Sequence, residues 1–107
     1  FIQVIFDMAA DQFVHERVIL LGDAAAVARP HVAAGTAKAC ADAFALRDHL
    51  ATGQDIQSAL HGWEIQQLRM ARDVAARSRQ MGQSAQVEMT MVPGDPEWRF
   101  GLYGPGN

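Results

Sequence analysis

The residues with the clearest chemical potential follow an apolar run, where Gly22 and Asp23 stand directly before two alanines. A carboxylate at the end of a buried strand can accept hydrogen bonds from a sugar-like hydroxyl. The N–H groups that open a following helix favour an electron-rich group. The segment is therefore a candidate cofactor site, and the alternative is a plain turn in which Asp23 caps the next segment. Three later residues belong to the same pattern: Pro30 lies seven residues after Asp23, Gly35 five residues after Pro30, and Asp42 seven residues after Gly35.

His31 is the candidate catalytic residue. It follows Pro30 in the loop before a predicted helix, where ligands of α/β proteins commonly lie. A histidine exchanges a proton near neutral pH, so contact with a substrate or cofactor is one interpretation and a structural hydrogen bond in the loop is the other. For the neighbouring Arg29, an ion pair with a carboxylate is favoured over steering of an anionic substrate.

Other reactive side chains give weaker signals. His61 and Glu64 lie one helical turn apart, but two ligands without a third predict no metal site. Cys40 is the only cysteine in the sequence, which excludes an intrachain disulfide and indicates a reducing, cytoplasmic location. Cys40 itself is most simply a small core residue. A group of four arginines is predicted to be a solvated helix face, with a phosphate-binding patch as the alternative: Arg69, Arg72, Arg77 and Arg79.

The elements that must position these residues are one strand and two helices. The run from 17 to 21 lacks polar alternation, as in a strand covered on both faces within a parallel sheet. A loop over 22–34 leads to a helix over 35–50, with Thr36 near its start and Gly53 as its stop. A long second helix runs from Ile56 to about Met81.

Capping residues and face assignments complete this prediction. Asp55 is the expected N-cap of the second helix and Gly82 its stop. The buried face of the first helix is assigned to Ala39, Ala43, Leu46 and Leu50. The opposite face is assigned to Lys38, Asp42 and Asp48. The apolar stripe of the second helix is Ile56, Leu60, Trp63, Leu68, Ala71 and Val74.

Composition bounds the class of protein. The chain has 107 residues, half of them apolar, and a formal charge of −3 with mixed signs, so neither a nucleic acid nor a membrane is an expected partner. Phe1 begins inside an apolar stretch, and the second helix, roughly 40 Å long, exceeds what so short a chain can cover. We therefore expect the C-terminal part of a longer protein, divided into 1–54, 55–83 and a tail over 84–107.

The spacing from Arg17 to about Leu50 resembles the second flavin-binding segment of the class A FAD-dependent aromatic monooxygenases, the p-hydroxybenzoate hydroxylase family. The family pattern is Gly-Asp-Ala-Ala-His, a proline four residues on, Gly-x-Asn at a helix start, and then Asp-Ala. The sequence departs from it at Ala26, where the family has His, and at Ala37, where it has Asn. The segment around Pro30–His31 and the glycine-rich tail over 100–106 are similar to a subgroup acting on dihydroxypyridine-like rings.

The resemblance implies a site for FAD. Asp23 would bind the ribityl chain, Pro30 would lie beside the isoalloxazine ring, and the start of the helix would face the pyrimidine edge of that ring. The implied cofactor-binding residues are Gly22, Asp23, Ala24, Pro30, Ala34, Gly35, Thr36 and Ala37. His31 would assist deprotonation of the substrate or donate to a ring hydroxyl.

The fold class implied is α/β, a fragment of an FAD/NAD(P)-binding Rossmann-like domain (α+β in the parent). The implied activity is hydroxylation of an electron-rich aromatic or N-heterocyclic ring with FAD, NADH or NADPH, and O₂. The partners would be a small aromatic substrate, the N-terminal part of the same protein and a second copy in a homodimer. No dinucleotide fingerprint occurs in the sequence, so the chain alone should be inactive. The alternatives are a mostly helical interaction module and a flavin oxidase relative.

Overall fold

The computed structural model describes residues 1–2, 4–92 and 95. Four two-residue strands precede two helices in the chain: β1 (Met8–Ala9), β2 (Val14–His15), β3 (Val18–Ile19), β4 (Ala26–Val27), α1 (Gly35–Leu50) and α2 (Ile56–Gly82). Short 3₁₀ turns lie over Gly22–Ala24 and Pro30–Val32, and a π-helical turn over Gln83–Val87 follows α2. The predictions for the tail over 96–107 lie outside the described residues.

The strand pairing differs from the predicted parallel sheet. β3 pairs antiparallel with β2, with Val14 opposite Ile19, and β4 pairs antiparallel with β1. The chain reverses at Glu16, whose φ is +52°, so the apolar run becomes the second arm of a hairpin. Val18 is exposed as a result. The strand covered on both faces is therefore a wrong prediction, and the described strand pairs give no support to a Rossmann-like sheet.

Helix α1 has the predicted bounds but not the predicted faces. Lys38 and Asp42 were assigned to the exposed side, yet both are buried, while Ala43 and Leu50 of the predicted core face are exposed. The helix has an alanine-rich surface on which no broad apolar stripe decides the orientation. Its buried side is decided instead by the polar contacts of Asp42 described below.

Helix α2 has the predicted bounds, but Gly82 does not have the predicted role at its end. The Asp55 carboxylate accepts a hydrogen bond from Ser58 N at 3.0 Å, which caps the helix. The hydrogen bonds from Ser58 also hold the pKa of Asp55 below its ordinary value. Gly82 does not stop the helix, because it keeps right-handed helical geometry (φ −61°) and the chain continues into the π-helical turn.

The core forms where α2 crosses α1 and the hairpin. Phe13 and Trp63 are fully buried, with ring centroids 6.3 Å apart and a tilted geometry. Trp63 and Ala71 of the predicted stripe of α2 belong to this core, whereas Val74 is buried in a second cluster with Val32, Ala34 and Met81, and Ile56 is exposed. Within the described part of the chain, neither helix is long and apolar enough to cross a membrane. The Gly22 turn and the start of α1 are thus carried on the rigid centre of the fold.

Candidate functional site

The Gly22–Asp23 turn rests directly on α1. Gly22 is buried with φ +56°, a left-handed conformation that favours glycine. A Cβ at this position would lie 3.1 Å from the Cβ of Ala39, so the turn also needs a small residue to approach the helix. Asp23 follows on the exposed side of the turn. The sequence Gly-Asp therefore combines a backbone that packs inward with a carboxylate that faces outward.

Asp42 fastens this turn from beneath. Its Oδ2 accepts hydrogen bonds from Gly22 N at 2.9 Å and from Lys38 Nζ at 2.6 Å, and its side chain is fully buried. The indole N–H of Trp63 donates to the Asp42 carbonyl at 3.0 Å, which ties α2 to the same point. The sequence prediction missed this cluster, although the spacing of Lys38 and Asp42 (i, i+4) on an alanine-rich helix was a usable signal.

A groove of about 290 Å³ opens beside the turn, at the N-terminus of α1. It brings together five of the predicted cofactor contacts: Asp23, Pro30, Ala34, Gly35 and Thr36. The structure does not place the other three on this lining. Gly22 is buried below the turn, and Ala24 and Ala37 are exposed outside the groove.

The groove faces a helix end that its own residues leave open. Ala34 occupies the N-cap position and makes no side-chain cap hydrogen bond. The first-turn N–H groups of a helix have no acceptor within that helix, and they carry partial positive charge. No atom of the described residues lies within 4 Å of the ideal Cβ position of Gly35, so that part of the chain does not crowd the approach. This arrangement suits an electron-rich, planar group that accepts hydrogen bonds from the backbone.

Arg29 also lines this groove, and several hydrogen bonds and an ion pair hold it in place. Asp7 Oδ1 accepts from Arg29 N at 2.9 Å, Asp7 Oδ2 lies 3.2 Å from the Arg29 guanidinium, and Ser78 Oγ donates to Arg29 O at 2.7 Å. Arg79 Nε adds a bond to Asp7 at 3.0 Å. Burial opposes ionisation of Asp7, but these hydrogen bonds and the charge of Arg29 hold its pKa below the ordinary value. The predicted carboxylate pair of Arg29 is confirmed, and it fixes the loop before Pro30.

His31 lies in a second groove of about 370 Å³ that also includes Ile5, Arg29 and Gln86. Its ring stands against α2, so that a Cβ at Gly82 would lie 2.7 Å from His31 Nε2. No hydrogen bond links this ring to another of the described residues, which leaves the alternative of a structural hydrogen bond without support. Arg29 and Pro30 line both grooves, and His31 lines only the second one.

The weaker candidates have structural contacts. Glu64 Oε1 accepts from Phe13 N at 2.7 Å and from Val14 N at 2.9 Å, so its carboxylate holds the hairpin. No group of three metal-ligating side chains occurs among the residues that the structure describes. Cys40 is exposed, so its assignment to the core is wrong for this chain.

The four arginines do not form one solvated face. Arg69 and Arg72 are exposed as predicted. Arg77 is buried, and its Nη1 donates to Gln80 Oε1 at 2.8 Å, whereas Arg79 is exposed but is paired with Asp7. A phosphate-binding patch would need these cations together on one surface, and the structure separates them.

Comparison with known proteins finds similarity to a monooxygenase, both in sequence and in structure. The chain is similar to 2,6-dihydroxypyridine 3-monooxygenase of Paenarthrobacter nicotinovorans, with 39% identity over 102 residues, 95% of this chain and 26% of that protein. The solved structure of 2,6-dihydroxypyridine-3-hydroxylase from Arthrobacter nicotinovorans matches it with a TM-score of 0.81 and 35% identity, over 94% of this chain and 25% of that one. No family model matches the chain.

These matches confirm the resemblance drawn from the Gly22–Asp23 segment. The chain is a relative of a segment of such enzymes, and it spans about a quarter of the length of the relatives it matches. The similarity covers the hairpin, the Gly22 turn and both helices alike, because nearly the whole chain is aligned.

Proposed function

We propose that this chain is the flavin-contacting segment of an FAD-dependent monooxygenase that hydroxylates an electron-rich N-heterocyclic ring, such as a dihydroxypyridine. The observation that carries the proposal is the groove at the start of α1, where five residues of the predicted flavin site line one surface. The segment works as part of a longer enzyme, whose other residues complete the sites for FAD, NADH or NADPH, and the ring substrate.

Asp23 is the proposed contact to the ribityl chain. Its side chain follows a buried glycine and stands at the edge of the groove, on the exposed side of the turn. A carboxylate is an acceptor for several hydroxyl groups at once, and charge-assisted hydrogen bonds are stronger than neutral ones. Because Gly22 is fixed from below by Asp42, the position of the carboxylate is defined before the cofactor arrives.

The start of α1 is the proposed contact to the pyrimidine edge of the flavin. Ala34 leaves this end uncapped, and Gly35 leaves it uncrowded. A helix N-terminus stabilises negative charge nearby, which suits the anionic reduced cofactor. Ala37 cannot supply the side-chain amide of the family asparagine, so the backbone N–H groups provide the contacts here.

When bound, the flavin supplies the activation of O₂ that ring hydroxylation requires. The proposed part of His31 is to exchange a proton with a hydroxyl of the ring substrate, or to donate a hydrogen bond to it. His31 lines a groove other than the one that holds the proposed cofactor contacts. Its ring makes no competing hydrogen bond within the described residues, although its Nε2 edge lies against Gly82.

The full-length enzyme tests this proposal. It should purify yellow, and Asp23→Ala should weaken FAD binding by about tenfold to a hundredfold, the value of a charge-assisted hydrogen bond. Asp48→Asn, which removes an exposed charge on the outer side of α1, is the matched control and should leave FAD affinity unchanged. A colourless, folded wild-type protein would support a helical interaction module instead.

The reaction is tested separately. A dihydroxypyridine should stimulate NADH or NADPH oxidation and yield a hydroxylated ring. Stoichiometric hydrogen peroxide without ring product would indicate a flavin oxidase. For His31, the expected result is that His31→Ala lowers the fraction of reducing equivalents recovered in product, and unchanged coupling with unchanged substrate affinity would remove its proposed role.

A further inference from the structure

We propose that Asp42 and Lys38 form a buried positioning pair, which holds the Gly22–Asp23 turn in the orientation that binds the cofactor. The pair contacts no groove surface itself and acts through the backbone of Gly22. The inference rests on the proposed function, since that function places Asp23 against FAD.

The geometry gives Asp42 one acceptor atom with two donors. Oδ2 accepts from Gly22 N at 2.9 Å and from Lys38 Nζ at 2.6 Å, while Oδ1 is buried without a hydrogen bond to any of the described residues. The Lys38 ammonium also lies 5.7 Å from the centre of the Phe13 ring, a favourable cation–π position. Gly22 N belongs to the peptide group one residue before Asp23, so the bond acts on the backbone that carries the functional carboxylate.

Stability alone is a poor explanation of this pair. Burying two charges has a desolvation cost that often equals or exceeds their attraction, and apolar residues of similar size commonly stabilise a protein at least as well. Asp42 in addition leaves one carboxylate oxygen unsatisfied. What an apolar residue cannot provide is an acceptor for Gly22 N, and Lys38 gives that buried carboxylate a charged partner.

Two double variants of the full-length enzyme separate the acceptor from the charge. Asp42→Asn with Lys38→Met removes both charges but keeps an acceptor oxygen for Gly22 N. Asp42→Leu with Lys38→Met is nearly the same size and removes the acceptor as well. FAD affinity is measured by titrating each apoenzyme with FAD and following flavin fluorescence, at a temperature well below unfolding. The absorption spectrum of the bound flavin is recorded in parallel, with Asp48→Asn as the control.

The leucine variant should bind FAD about tenfold more weakly than the asparagine variant, which should stay within about threefold of the wild type. Its bound flavin should also show a shifted spectrum, and Asp48→Asn should match the wild type. Equal FAD affinity in the two double variants would overturn the positioning role, even if the leucine variant unfolded at a lower temperature. A wild-type enzyme that binds no FAD would overturn the proposed function, and this inference with it.

Discussion

Replacement of Gly22 by alanine tests how the turn is fitted to α1. Gly22 has φ +56°, and a left-handed conformation costs an alanine about 1 to 2 kcal/mol. The new Cβ would also lie 3.1 Å from the Ala39 Cβ, and such overpacking of a buried site costs about 1 to 3 kcal/mol. The free energy of unfolding should therefore fall by about 2 to 5 kcal/mol.

A second glycine supplies the matched control. Gly53 also has a positive φ, +76°, but its ideal Cβ position has no atom within 4 Å. Gly53→Ala should lose only the conformational cost, about 1 to 2 kcal/mol. Ala39→Gly in the Gly22→Ala background should restore the packing component, although a glycine inside a helix itself costs about 1 kcal/mol.

The free energy of unfolding is measured by urea denaturation, with the helical circular dichroism signal as the probe. The wild type, Gly22→Ala, Ala39→Gly and their double variant are compared with Gly53→Ala. The double variant is expected to be less destabilised than the sum of the two single variants, because the two Cβ atoms clash only when both are present. Equal destabilisation by Gly22→Ala and Gly53→Ala, together with zero coupling, would refute the packing explanation.

Three further predictions follow from other contacts of the site. Because the pKa of Asp7 is held below its ordinary value of 3.8, its carboxylate stabilises the fold above about pH 4 and loses this effect as the pH falls through the lowered pKa. The free energy of unfolding, measured from pH 3 to 6, should fall towards low pH in the wild type, and the part of this fall that is due to Asp7 should be absent in Asp7→Asn. Gly82→Ala should displace the nearby His31 ring, raising KM for the ring substrate while FAD affinity stays unchanged, and the reverse pattern would count against the contact. Glu64→Ala should destabilise the protein by about 1 to 3 kcal/mol in the same urea assay, since it leaves two backbone N–H groups of the hairpin without their acceptor.

The features predicted correctly depend on short stretches of chain. The bounds of α1 follow from its local composition, and the start of α2 follows from Asp55, which caps α2 through a contact only three residues away. The resemblance to a flavin-binding segment could be drawn for the same reason, since its spacing is a property of the sequence itself. The role predicted for Gly82 was wrong, because Gly82 keeps right-handed helical geometry that any residue can adopt, and its small size is required by the distant His31 ring.

The features that were wrong depend on where distant segments meet. Nothing local states that Glu64 will meet backbone groups some fifty residues earlier in the chain, or that the apolar run will turn back as a hairpin. Cys40 was assigned to the core from its residue type, but exposure is a property of the whole surface.

The sequence by itself determined that a Gly-Asp turn precedes an alanine-rich helix at the spacing of a flavin-binding segment. Tertiary structure alone decided that Asp42, twenty residues after Gly22, lies beneath that turn with its charge matched by Lys38. It also decided that His31 lines a groove other than the one at the start of α1, with Arg29 and Pro30 shared by both. The physical reason is that capping and turn preferences act over a few residues, whereas burial and hydrogen bonding of a charged side chain depend on the path of the whole chain.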